Sequence, residues 1–425
     1  MSTNDILHHA RVLVVGGGAR EHALVWKLAQ SPLQPILFAA PGNAGIAGIA
    51  KCVPVNGDDV DQIVRVAQEH RIDLVVVGPE VPLAAGLVDR CTAVGIRAFG
   101  PSAAAARIES SKAYAKELME TAGIKTAAHQ VFTAAAAAKT YVESVGAPVV
   151  IKADGLAAGK GVVVATTVEE ATRAVDDMLV SAKFGASGQS VVVEQFLAGR
   201  EVSQMFFVDA KTVIPMVSAR DYKRVGDGNC GGNTGGMGAF APVPGFREDG
   251  LLQVVEDTIV RPLLAALKRE GIVYRGVLYA GLMMTEDGLS VIEFNCRFGD
   301  PETQVVLPLL DTDLLQVLWA ITADRLAEVV VEWKDERAVC VVLAAPGYPE
   351  QAVTGQTITI EGALSGAVFH AGTSRDGDDL VTAGGRVMAV LGTGPDFVAA
   401  RSVAYASADA IYFEGKHFRS DIAND

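Results

Sequence analysis

Short apolar runs alternate with mixed segments through the first hundred residues. RVLVVGGG (11–18), PILFAAPGN (35–43), IDLVVVGPE (72–80) and RAFGP (97–101) each place consecutive apolar residues before Gly or Pro. Segments around 20–30, 58–70 and 82–94 read as amphipathic helices between them. Strands alternating with helices predict a parallel sheet wound with helices. The loops 16–21, 41–45 and 79–80 leave its strand ends, where ligands of such sheets sit.

The pattern changes after Ser111. An Ala-rich stretch, TAAAAAK (133–139), reads simply as a helix former. Two strand pairs follow, VVIKADG (149–155) with GVVVATT (161–167) and VVVEQFL (191–197) with EVSQMFFVD (201–209). A long helix is expected at about 247–270, before strands in VLYAGLMM (277–284) and VIEFN (291–295). From about 336 a smaller unit contains CVVLAAPGYP (340–349), a Gly-rich β stretch, GGRVMAVLGTG (384–394) and a helix from Asp396. The expected class is α/β, with an α+β central part. The expected units are 1–110, 111–335 with 131–198 as a subdomain, and 336–425.

Composition narrows the function classes. The chain has 425 residues, 50% hydrophobic and 20% charged, enough for a large core. No apolar run reaches the roughly eighteen residues of a membrane span, and the start MSTNDILHHA lacks a basic leader. A cytoplasmic protein is the expectation. A net charge of −14 argues against coating nucleic acid or an anionic membrane. Five widely spaced cysteines fit reduced thiols. His8, His9, His22 and His70 read as surface residues, and no metal-ligand spacing, Ser-His-Asp arrangement or GxSxG elbow is visible.

The chemistry concentrates in VIEFNCRFGDPE (291–302). Residues i and i+2 of a strand share a face, so Glu293 and Asn295 aim two oxygens at one hard cation. Arg297 follows, a side chain suited to gripping a carboxylate or phosphate. In VVIKADGLAAGKGVVV (149–164), Lys152 ends a strand and Lys160 sits between Gly159 and Gly161 in a hairpin loop able to fold over phosphates. GxxxxGK[ST] is absent, so this is not a Walker loop. Glu194 ends another strand. The backbone of Gln195, Phe196 and Leu197 can mimic a base-pairing edge, and Glu201 can accept from ribose hydroxyls. The stretch 219–242 reads as a long loop carrying Asp221, Lys223 and Arg224 with six glycines between Gly228 and Gly238; loops of this length are usually functional or disordered. Arg386, after Gly384 and Gly385, is a further anion contact. The turn GGGAREH (16–22) suits phosphate but not a dinucleotide. Glu21 stands where a small residue is needed, and the second strand ends Phe38-Ala39-Ala40 without an acid.

These segments resemble the ATP-grasp ligases and, more closely, the phosphoribosylamine–glycine ligases of purine biosynthesis. GAREHA (18–23), APGNAG (40–45), VGPEVPL (77–83), SKAYAK (111–116), IKADGLAAGKGVVV (151–164), NTGGMGA (233–239) and EFNCRFGDPETQ (293–304) carry the likeness, which spans nearly the whole chain. It implies an ATP-grasp fold: a phosphoribosyl domain at 1–110, an ATP-grasp domain at 111–335 with 131–198 as its lid, and a small C-terminal domain. The implied reaction joins glycine to 5-phosphoribosylamine through glycyl phosphate, releasing ADP and phosphate. By resemblance Glu293 and Asn295 hold Mg²⁺ or Mn²⁺, and Lys112, Lys152 and Lys160 contact ATP phosphates. Glu194 to Leu197 and Glu201 then hold adenosine. Asp221 and Arg297 grip glycine. Gly18, Arg20, Asn43, Glu80 and Arg386 hold the phosphoribosyl group, with Lys223 and Gly385 beside the substrates. Arg220 and Tyr222 flank Asp221 where this family usually has Gln and His, and Cys230-Gly231-Gly232 replaces a stretch that commonly contains Pro. The chain ends soon after FRSDI (418–422), and tail contacts to the site are not among the expectations. Alternatives are another ATP-grasp ligase of purine metabolism, a nucleotide-binding regulator without turnover and, weakest, a dehydrogenase.

Overall fold

A parallel sheet opens the chain in a computed structural model that describes residues 7–157, 161–181 and 188–424. Its strand order is Lys51–Cys52, Ile36–Pro41, Arg11–Gly16, Leu74–Val77, Arg97–Phe99. The central strand is buried from Val12 to Gly16 because helices cover both faces. The short strand Lys51–Cys52 has too little pattern to be foreseen. The helix expected over 82–94 is two pieces, Glu80–Ala84 and Leu87–Ala93, divided at Gly86 with φ +82°. Helix Ala19–Leu28 is buried along most of its length. His22 is therefore not superficial: its Nδ1 accepts from the His370 N–H at 2.8 Å, and burial beside His370 lowers its pKa to about 3.

Two antiparallel four-stranded sheets form the middle. One has the order His129–Phe132, Val191–Gln195, Val149–Ala153, Val162–Ala165. The other has the order Val213–Pro215, Arg200–Val208, Gly276–Thr285, Gly288–Asn295. The expected hairpin of 149–155 with 161–167 is present. The expected pairing of 191–197 with 201–209 is not. Val191–Gln195 pairs with 129–132 and 149–153, while Arg200–Val208 pairs with 213–215 and 276–285. Residues 196–199 cross from one sheet to the other. The apolar runs identified both strands but could not identify their partners. The helix expected over 247–270 runs 251–269, with one wide turn at Glu256–Val260 ahead of Pro262.

The stretch 219–242 is not a structureless loop. Arg220–Asp221 pairs with Ala239–Phe240, and Arg224–Gly226 pairs with Cys230–Asn233. The outer pair joins the C-terminal sheet, ordered Arg220–Asp221, Gly238–Ala241, Arg337–Ala344, Arg386–Gly394, Ala367–His370. Helix Phe397–Asp409 packs on that sheet, with Asp396 accepting from the Ala399 N–H as its N-cap. The two ends of 220–241 thus belong by hydrogen bonding to the C-terminal sheet, although more than ninety residues separate them in sequence from the strand at 337. All five cysteines are free thiols. Among the described residues no helix is long and apolar enough to cross a membrane.

Candidate active site

A cleft of about 600 Å³ lies against both middle sheets, walled by loops of the first and last sheets. One half of it is built around Glu194. This buried carboxylate ends strand Val191–Gln195, and its Oε2 accepts from Lys152 Nζ at 2.9 Å and Lys116 Nζ at 3.0 Å. Lys116 also donates to Thr126 Oγ1 at 2.7 Å. Glu194 Oε1 is buried with no hydrogen-bond partner among the described residues. A buried acceptor left unmet costs about 1–3 kcal/mol, and an N–H donor on a bound molecule would satisfy it. The crossing that begins at Gln195 puts Phe196 and Leu197 on the same wall. Lys112 opens helix Lys112–Ala122, capped by Ser111, and its Nζ donates to Gly155 O at 3.1 Å. Burial lowers the Lys112 pKa against the pull of Glu293. Gly161 lines the cleft, where a Cβ would lie 2.6 Å from that of Ala157. Gly159 and Lys160 fall outside the described residues.

Glu293 and Asn295 project from the last strand of the second sheet while Phe294 between them is buried, as alternation requires. Ile292, at a register shift opposite Gly281–Leu282, and Phe294 contribute to the cleft wall as well. Although desolvation works against it, Glu293 is held below the usual carboxylate range by Lys223, Lys152, Lys112 and Arg297. It is thus a carboxylate at neutral pH beside a carboxamide oxygen. No group of three His, Cys, Asp or Glu suits a metal among the described residues. Two hard oxygen donors still fit Mg²⁺, which commonly takes one or two protein ligands and completes its shell with phosphate and water.

Charges in the other half hold one another. Arg297 Nε meets Glu80 at 3.1 Å, its terminal nitrogens reach Glu109 at 3.0 Å and Phe298 O at 3.3 Å, and three of its five N–H groups are engaged. Glu80, though desolvated, is pulled down to about 2 by Arg297 and Arg20. Glu109 also accepts from the Cys296 amide at 2.7 Å, and burial pushes its carboxyl up against the pull of Arg297. Arg386 meets Asp300 Oδ2 at 2.9 Å. Lys223 pairs with Glu201 at 2.6 Å, and Asp221 lines the cleft beside them. Desolvation raises Asp221 to about 7 against Lys223, helped by Glu302 and Glu201. Glu302 itself is buried and accepts from Tyr279 and Ser203.

The cleft therefore gathers Arg20, Glu80, Asp221, Lys223, Arg297 and Arg386 from distant parts of the chain. Gly18, Asn43 and Gly385 are not among its lining residues. Asn43 Nδ2 donates to Gly17 O and His370 O, tying the first sheet to the last. Gly18 N donates to Glu21 Oε2 at 2.7 Å, so Glu21 fills the turn that looked too crowded for a dinucleotide. Gly385 admits the ring of Tyr348, which a Cβ would meet at 2.3 Å. Lys116, Glu109, Asp300 and Glu302 were missed. Lys116 carried a usable signal, lying four residues after Lys112 on one helix face.

Comparison with known proteins gives the family. Residues 10–109, 110–303 and 338–425 match the N, ATP-grasp (A) and C domains of phosphoribosylglycinamide synthetase. A phosphoribosylamine–glycine ligase of Halalkalibacterium halodurans is 50% identical over 415 residues, covering 97% of this chain and 96% of the relative. The crystal structure of a phosphoribosylamine–glycine ligase from Thermotoga maritima superposes with a TM-score of 0.84 at 34% identity, covering 97% and 100%. Biotin carboxylase from Campylobacter jejuni, at 14% identity and TM-score 0.74 over 97% and 94%, shares the fold. With three domain matches along nearly its whole length, the chain belongs to the phosphoribosylglycinamide synthetase family and has an ATP-grasp domain at its centre.

Proposed function

We propose that the protein joins glycine to 5-phosphoribosylamine, giving glycinamide ribonucleotide, ADP and phosphate. The observation that carries this is a single cleft in which Lys112 and Lys152 face Glu293 and Asn295, with Arg297, Asp221 and Lys223 next to them. In this reading a glycine carboxylate oxygen attacks the γ-phosphorus and ADP leaves. The amine of phosphoribosylamine then attacks the acyl carbon of glycyl phosphate, losing a proton as phosphate departs. The chain supplies position and charge rather than a nucleophile.

Glu194 Oε1 and the backbone of 195–197 take adenine's amine and ring edge, and Glu201 takes the ribose. Lys112 and Lys152 meet the phosphates, and Lys160 belongs to the same group. Glu293 and Asn295 would hold a divalent cation, Mg²⁺ or Mn²⁺, which neutralises phosphate charge. Asp221 holds glycine's ammonium and Arg297 its carboxylate, while Arg20, Glu80 and Arg386 flank the phosphoribosyl group. Residues 131–198 serve as the lid that excludes water. A cytoplasmic setting and small-molecule substrates belong to this reading.

The test is ADP release by the purified protein. It should require both glycine and 5-phosphoribosylamine and fail when other amino acids replace glycine. Release indifferent to either substrate would overturn the assignment.

A further inference from the structure

Residues 417–423 run along the segment that carries Asp221 and Lys223. Arg419, 1% exposed, is among the largest fully buried side chains. Its guanidinium binds Asp421 through two nitrogens at 2.7 and 2.6 Å. Its remaining terminal nitrogen reaches Arg224 O at 3.2 Å and Asn229 Oδ1 at 2.9 Å. The same guanidinium lies 4.7 Å from the centre of the Tyr222 ring. Tyr222 OH accepts from the Ala423 N–H at 2.9 Å, Asp421 accepts from the Gly228 N–H at 2.9 Å, and Asp227 accepts from the Ser420 N–H at 2.8 Å.

The other side of the tail is fixed. His417 exchanges backbone hydrogen bonds with Ala344 of the C-terminal sheet. Tyr405, on helix Phe397–Asp409, donates to Arg419 O at 2.7 Å and accepts from the Ile422 N–H at 3.1 Å. The tail is thus bonded to a rigid helix and sheet on one side and to residues 222–229 on the other. Asp221, Tyr222 and Lys223 all line the cleft, and the buried Tyr222 meets the tail through its hydroxyl and its ring face.

We infer that the tail is a strap setting the position of Asp221 and Lys223, with Arg419 as its positioning residue. This rests on the proposed roles of those two cleft residues. Holding Tyr222 from behind fixes which way its neighbours face, and the ties to 224–229 stop the segment rotating.

The full-length protein with Arg419→Lys, which keeps charge but loses the fork, tests this. Tyr222→Phe, which removes only the hydroxyl, is the second variant and decides alone if the first does not fold. One measurement is amide exchange without substrates at Tyr222, Thr234 and Met237, whose N–H groups are hydrogen-bonded within the segment. Exchange there should rise about tenfold or more in Arg419→Lys while strand Arg386–Gly394 stays protected. Tyr222→Phe should move the same amides less. The other measurement is kinetic: kcat/KM for glycine should fall about tenfold, with ADP affinity changed by less than about threefold. Unchanged exchange at 222–237 in the variants that fold would overturn the strap. A loosened segment with unaltered glycine kinetics would overturn its positioning role. If the wild-type protein shows no glycine-dependent ADP release, the proposed function fails, and the exchange arm still reads the strap by itself.

Discussion

The two halves of the cleft handle charge in opposite ways. Around Glu194, Lys116 and Lys152 share one carboxylate oxygen while the other oxygen has no partner among the described residues, and Lys112 faces the same space. Cations there exceed their partners, so an incoming polyphosphate brings the missing negative charge. Around Arg297 three cations are already matched: Arg297 by Glu80 and Glu109, Arg386 by Asp300, Lys223 by Glu201. A small zwitterion entering that half joins or displaces existing pairs. In the proposed reading, affinity for the nucleotide comes from unneutralised charge, while discrimination among acceptors comes from a preset network that only the right geometry can enter.

The largest expected effect lies where the halves meet. Glu293 is kept ionised by Lys223 and Arg297 of one half and by Lys152 and Lys112 of the other. Glu293→Gln keeps the shape and removes the charge, so turnover should fall by on the order of 10²–10³ while the melting temperature stays near wild type. Activity near wild type at limiting Mg²⁺ would take Glu293 out of the metal site and leave the halves independent.

A smaller effect should stay within the substrate half. Arg297→Lys loses the planar fork that bridges Glu80 and Glu109, and glycine KM should rise about tenfold or more, matching one charge-assisted contact of roughly 1.5–3 kcal/mol. Glu109→Gln should follow it more weakly, because an amide nitrogen opposes the Cys296 N–H and loosens Arg297 from behind. Steady-state kinetics with glycine and ATP varied in turn separate the cases. A rise in ATP KM with glycine KM unmoved would assign Arg297 to the nucleotide.

The contrast between the halves also explains what could be read from sequence. Strand ends with their own chemistry, such as Lys152, Glu194, Glu293 and Asn295, stand out because period-two alternation and a charged residue closing an apolar run are local signals. Pairing across distance has no such signal. Glu109 meets Cys296 across 187 positions, so a buried Glu on a short helix looked like any other. The crossing at 196–199 looked like a hairpin because apolar runs announce strands, not neighbours. His22 looked exposed because its burial depends on a strand some 350 residues away. The tail looked irrelevant because Arg419 reaches Tyr222, Arg224 and Asn229 only once 220–233 is folded beside it.

The smallest expected effect is a pH dependence confined to the substrate half. Desolvation raises the Asp221 carboxyl from 3.8 to about 7, against the pull of Lys223. If the charged form holds glycine's ammonium, kcat/KM for glycine should rise with pH and level off above about 7. Nucleotide affinity should stay flat across the same range. Stability should move the other way. Between pH 3.8 and about 7 the folded protein keeps a proton on Asp221 that the unfolded chain has lost. That contribution is complete below 3.8 and disappears as pH rises through about 7. Asp221→Asn should remove both slopes together. Melting temperature against pH checks the stability limb even if the variant is inactive. A glycine profile or a melting profile that keeps its wild-type slope in Asp221→Asn would mean that another group titrates. The difference between the halves would then rest on ion pairing alone.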